Sequence, residues 1–96
     1  MSEWLVILEV SDSYAQGEVN LERLPELEEL LNEYEGSATG SGQTYGAALK
    51  VVGEVGPAVW EGLRVFFEAR EKLDLPRWPL VRCEVYKKDD SVHPFD

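Results

Sequence analysis

Thr44-Tyr45-Gly46-Ala47-Ala48-Leu49-Lys50-Val51-Val52-Gly53 is the stretch on which the fold turns. Tyr45, Ala47, Leu49 and Val51 alternate with Thr44, Gly46, Ala48 and Lys50, and a period of two marks a half-buried β-strand. Two further runs behave alike. In Trp4 to Val10, the side chains of Trp4, Val6, Leu8 and Val10 fall on one face and those of Leu5, Ile7 and Glu9 on the other. Both faces are largely apolar, which suits a central strand. In Leu80 to Tyr86, the pattern predicts Val81, Cys83 and Val85 inward.

Helical spacing fills the intervals. Asn20 is a candidate N-cap, and Leu24, Leu27, Leu30, Leu31 and Tyr34 then recur with the period of an amphipathic helix. Pro25 interrupts the first turn, so regular helix can begin there, and Gly36 reads as its C-terminal cap. Ser37 to Gln43 reads as a short, weak strand ending in a turn around Gly40-Ser41-Gly42. Gly56-Pro57 opens a second helix with an inward stripe of Val59, Leu63, Phe66 and Leu73, widened by Trp60 and Phe67. Gly62 lies inside that helix at a cost of about 1 kcal/mol relative to alanine, which a close approach to the sheet would offset. Leu75-Pro76-Arg77-Trp78-Pro79 ends the helix and turns the chain.

The order strand, helix, strand, strand, helix, strand predicts an α+β, ferredoxin-like two-layer sandwich. In this βαββαβ arrangement a four-stranded antiparallel sheet carries two helices on one face. The alternative is a three-stranded βαβαβ variant that lacks the weak strand. Residues 1–88 are expected to form this single domain and residues 89–96 a polar tail.

Composition narrows the function. The chain has 96 residues, room for one domain and one core. With 44% apolar and 29% charged residues it is globular rather than disordered in composition. Its net charge is −10. Nucleic-acid backbones and anionic membrane surfaces are bound by basic faces, so neither is an expected partner. A basic protein stays compatible with the charge. The single cysteine, Cys83, forms no internal disulfide, the apolar run Trp4 to Leu8 is too short for a signal core or a membrane span, and the expected location is the cytoplasm.

No chemistry-bearing motif stands out, and neither a cofactor nor an enzymatic activity is expected. The one histidine, His93, lies in the polar tail, far along the chain from any nucleophile motif, and Cys83 reads as a small buried hydrophobe. Asp89, Asp90, His93 and Asp96 could be drawn as a metal site, but a tail would have to be ordered to hold it. Gly40, Gly42 and Gly46 precede a strand, whereas a phosphate loop precedes a helix. Tyr45-Gly46-Ala47 resembles the aromatic strand of RNA-recognition domains without its basic and second aromatic partners.

Two surfaces remain. Glu22, Glu26, Glu29 and Glu33 would share one face of the first helix, either as a solvated flank or as a dock for a basic protein, an acidic decoy that imitates a nucleic-acid backbone. The second surface is the sheet face opposite the helices. If the helices cover Val6, Leu8, Tyr45, Leu49, Val81 and Val85, the other face shows Leu5, Ile7, Ala48, Val52, Leu80 and Tyr86 among Glu9, Lys50, Arg82 and Glu84. An apolar centre with a mixed charged rim has the make-up of a protein interface, and self-association would bury it. Its expected contact residues are Leu5, Ile7, Lys50, Arg82, Glu84 and Tyr86. A small-molecule site between Trp78, Tyr86 and the glycine turn is a third possibility.

Leu75-Pro76-Arg77-Trp78-Pro79-Leu80-Val81-Arg82-Cys83-Glu84-Val85 is similar to an L-P-x-W-P-x-V-R-x-E-V segment of small actinobacterial-type ferredoxin-like proteins. The preceding helix and the region from Ser37 to Val52 share that layout. Some proteins of this pattern carry a helix-turn-helix after the module, a pair that these 96 residues do not contain. The resemblance implies a fold and transfers no site residue.

Overall fold

The structure, a computed structural model, describes residues 2–14 and 17–87. Strand β1 (Ser2–Ser11), helix α1 (Leu24–Leu30), strands β2 (Ser37–Ser41) and β3 (Thr44–Gly53), helix α2 (Val55–Leu73) and strand β4 (Leu80–Lys87) follow in that order. The four strands form one sheet, ordered β2-β3-β1-β4, with every neighbouring pair antiparallel. The weak segment after α1 thus does pair, and the three-stranded alternative falls. It follows that β1 and β2 run parallel with β3 between them, and β3 and β4 run parallel with β1 between them.

Both helices lie on the side of the sheet that presents Val6, Leu8 and Val10 of β1 and Tyr45, Ala47, Leu49 and Val51 of β3, all of them buried. Leu27, Leu31, Ala58, Phe66, Ala69, Leu75 and Trp78 close the core from above. Side-chain bonds hold the β1–β3 ladder at its two ends: Trp4 Nε1 donates to the Gly53 carbonyl at 2.8 Å, and Ser11 Oγ lies 2.9 Å from Thr44 Oγ1.

The first helical segment is not one helix. Asn20 Oδ1 accepts from the Glu22 N–H at 2.9 Å, but what it caps is a 3-10 turn, Leu21–Arg23. Pro25 lacks an N–H and cannot extend a preceding turn, so regular helix is confined to α1 behind it. A second 3-10 turn, Asn32–Tyr34, follows. The left-handed residue that ends it is Glu35, at φ 49°, and not Gly36. Gly36 is needed for space instead: a Cβ there would lie 2.6 Å from Leu31 Cβ. The following hairpin turns one residue later than expected, at Gly42-Gln43, with Gly42 at φ 62°.

In α2 the buried face is Ala58, Gly62, Phe66 and Ala69. The expected stripe of Val59, Leu63 and Leu73 is thereby displaced to a flank, and Trp60 is 73% exposed. Small residues win because they let the helix sit close to the sheet: a Cβ on Gly62 would stand 2.9 Å from Val6 Cγ1. The larger side chains then have room only beside the contact line.

β4 departs furthest from expectation. Cross-strand partners share a face, so Val85 opposite Val6 and Cys83 opposite Leu8 are on the helix side. Yet Cys83 is exposed, Val81 is 57% exposed and Val85 is only partly buried. The inward reading of Val81 and Cys83 as core residues is therefore corrected. α2 packs mainly over β1 and β3, and its Glu61 is tied to Tyr34 beside α1, so of the inward side chains of β4 only Val85 reaches the core. The register also shifts between Glu9 and Val10, where Leu80 rather than Val81 lies opposite Val10.

A Cβ on Gly46 would lie 2.2 Å from the Leu8 carbonyl oxygen, whereas one on Gly56 in the first turn of α2 would meet nothing. Urea denaturation should therefore show Gly46→Ala destabilised by about 2–3 kcal/mol, through forced separation of β1 and β3. Gly56→Ala should be stabilised by about 0.5 kcal/mol, through loss of unfolded-state freedom.

Candidate interaction surface

The face of the sheet away from the helices is assembled by strand register. Leu5 of β1 lies between Lys50 of β3 and Tyr86 of β4, Ile7 lies between Ala48 and Glu84, and Glu9 lies between Gly46 and Arg82. Leu5, Ile7, Lys50, Arg82, Glu84 and Tyr86 are thus brought onto one face. Leu5 and Ile7 are partly exposed at its centre, while Val52 and Tyr86 are 62% and 51% exposed. Leu80 pairs with Val10 and belongs to the helix side, not to this face as expected; the register shift moves it across. A shallow depression of about 90 Å³ lies on this face beside Gly46, bordered by Ile7, Glu9, Thr39, Ala48 and Arg82.

The rim charges are arranged in pairs. Lys50 Nζ reaches Glu35 at 2.8 Å, which holds the ammonium in its charged form and raises its pKa. Along β4, Arg82 Nη2 lies 2.9 Å from Glu84 Oε1, and the Tyr86 hydroxyl donates to the same oxygen at 2.6 Å. The Arg82 hydrogen bond first, and that from Tyr86 second, pull the Glu84 carboxyl down to about 2. The Tyr86 hydroxyl is raised in turn, because it is donating to a carboxylate.

Glu22, Glu26, Glu29 and Glu33 are all exposed, but they do not form the expected stripe on one helix. Glu22 and Glu33 lie in the flanking 3-10 turns, so helical spacing relates only Glu26 and Glu29. Glu26 pairs with Arg23, and the neighbouring Glu28 accepts the Ala38 backbone N–H at 3.0 Å.

Other sites are less able to do chemistry. Tyr34 donates to Glu61 at 2.6 Å, raising the phenol and, with Arg64 as the larger cause, lowering the carboxyl, at the margin of an open groove that Lys50, Val52 and Pro57 also line. Tyr45 is fully buried on the helix side and cannot stack on a base. Trp78 is also on that side, against Tyr45 at 5.7 Å between ring centres, and so lies across the sheet from Tyr86. No pocket can therefore form between them. Among the described residues no three potential metal ligands cluster, and no helix is long and apolar enough to cross a membrane. Asp89, Asp90, His93 and Asp96 lie outside the described residues.

No protein-family model, curated protein or solved structure matches this chain. The open face was legible from alternation in the three long strands. The exposure of Trp60, Val81 and Cys83 was missed, although Ala58, Gly62, Phe66 and Ala69 recur at helical spacing and could have pointed to the true contact face of α2.

A carboxyl lowered in the folded state stabilises the fold above its unfolded pKa of about 4.3 and loses that contribution as pH falls through the folded value. For Glu84 the window runs down to about 2. In an NMR titration, Arg82→Met should raise the Glu84 midpoint while leaving it below the ordinary carboxylate value, because Tyr86 still donates. An unchanged midpoint would show that the pair does not persist in solution.

Proposed function

We propose that this chain is a non-enzymatic protein-interaction module that associates with a second copy of itself through the open face of its sheet. The observation that carries the reading is the make-up of that face. Leu5 and Ile7 form an apolar centre, Val52 and Tyr86 are largely exposed beside it, and Glu9, Lys50, Arg82 and Glu84 surround it. Both helices occupy the other side of the sheet. A two-fold related copy would remove the apolar centre from water and leave the charges at the rim, the arrangement by which a modest interface gains most of its free energy.

The finer architectural reading, a ferredoxin-like sandwich, belongs with this proposal. It is supported by the strand order β4-β1-β3-β2 and by the two interleaved strand–helix–strand units. The Leu75–Pro79 linker that carries the resemblance to small ferredoxin-like proteins has a structural task here. Leu75 and Trp78 are buried, and the Pro76 carbonyl accepts the Tyr45 hydroxyl.

Sedimentation velocity over a concentration series tests the reading. The wild-type chain should dimerise in the micromolar range, and Ile7→Lys should weaken association by about tenfold or more, equivalent to about 1.4 kcal/mol, by placing a charge at the apolar centre. A wild-type monomer at several hundred micromolar would remove the proposal.

A further inference from the structure

The two edges of the sheet are unequal. β2 has five residues, Ser37-Ala38-Thr39-Gly40-Ser41, and ends the sheet on one side. β4 has eight, Leu80-Val81-Arg82-Cys83-Glu84-Val85-Tyr86-Lys87, and ends it on the other. Among the described residues no strand pairs with the outer edge of β4, and on its inner face Val81 and Cys83 are exposed while Val85 alone packs against the core. A strand of this length at a sheet edge is a template for another strand.

We infer that β4 is the edge by which two copies join, antiparallel, about a two-fold axis at Cys83, to make one continuous eight-stranded sheet. The inference rests on the self-association reading and assigns it a second contact, along a strand edge rather than across the open face. Charge selects the strand. The chain carries a net −10, so two copies repel over most of their surfaces, but β4 sets Arg82 and Glu84, opposite charges, side by side on one face.

Charge also selects the register. A two-fold perpendicular to the sheet places one residue of the strand opposite its own copy. With Cys83 at the axis, Arg82 faces Glu84 of the second copy, twice, and Val81 faces Val85, twice. With Glu84 at the axis, two carboxylates oppose each other, and with Arg82 there, two guanidinium groups do. Like charges directly opposite destabilise a strand pair. Within one chain Arg82 already reaches Glu84 at 2.9 Å on the open face. The pairing would join these two ion pairs into one alternating square of four charges. The same two-fold keeps both open faces on one side and doubles their width.

Cys83 supplies a readout specific to this contact. Its side chain is exposed and lies on the helix side, opposite Leu8. Stacking of two open faces would leave the two thiols on the outer sides of both sheets. Edge pairing would set their Cα atoms about 4.5–5.5 Å apart, within disulfide range. Diamide removes two electrons and two protons from two thiols to form one S–S bond, so covalent dimer on a non-reducing gel counts the paired copies.

Covalent dimer should form at least about tenfold faster in the wild type than in Cys83→Ser/Ser13→Cys, whose exposed loop thiol meets another only by collision. Arg82→Glu should slow cross-linking by about tenfold, and Arg82→Glu/Glu84→Arg should restore it, because the swap recreates both pairs. A wild-type rate no faster than the loop control, or a swap that stays as slow as Arg82→Glu, would overturn the inference. A sedimenting dimer that Ile7→Lys dissociates, but in which Cys83 does not cross-link, would leave the open-face reading standing and remove the edge contact. Cross-linking that persists in Ile7→Lys, together with a sedimenting dimer that Ile7→Lys leaves unchanged, would keep the edge contact and remove the open-face reading.

Discussion

The hydroxyl of Tyr45 has to find a partner. Its ring sits fully buried between Phe66 and Trp78, with centroid separations of 6.0 and 5.7 Å, and burial raises its pKa. A buried hydroxyl without a hydrogen bond costs several times what a satisfied one contributes. The acceptor is the Pro76 carbonyl in the linker between α2 and β4. This contact joins the central strand β3 to a segment 31 residues away, and the linker is held further by its neighbours. Arg70 lies over the Phe67 ring at 4.4 Å and donates to the Trp78 carbonyl at 3.1 Å, while the Ser11 N–H bonds the Pro79 carbonyl at 3.0 Å.

The path of the linker fixes where β4 begins. Pro79 is held against the end of β1, so β4 enters the sheet beside Val10, one residue out of step with the pairing that follows. From there it runs along the outside of β1. The helices cannot follow it. α2 is drawn down on β1 and β3 by its small residues and is bonded to the α1 side through Glu61 and Tyr34. The result is a core that closes over the inner strands, while β4 meets it only through Val85 and leaves Val81 and Cys83 exposed.

Electrostatics reinforces the asymmetry. Five of the basic residues are drawn into pairs with carboxylates: Arg23 with Glu26, Lys50 with Glu35, Arg64 with Glu61 and Glu68, Arg77 with Glu71, and Arg82 with Glu84. Each is exposed and contributes little to stability alone. Their collective effect is to leave the remaining carboxylates as a solvating surplus, much of it around α1.

The sequence by itself determined the strands and their faces. Alternation in Trp4 to Val10, Thr44 to Gly53 and Arg82 to Tyr86 set which side chains share a side, and that placed Leu5, Ile7, Lys50, Arg82, Glu84 and Tyr86 together, whereas the register shift carried Leu80 across. Gly62 announced the close approach of α2 to the sheet. Periodicity is local, however, and reports which residues share a face without reporting what lies above it. Tertiary structure decided that Ala58 and Ala69 face the core while Trp60 faces water, that Glu35 and not Gly36 takes the left-handed turn, and that Val81 and Cys83 are exposed. The physical reason is common to all three. Each depends on how near one element can come to another, a distance set by the side chains of both partners, and a pattern within a single segment carries only one of them.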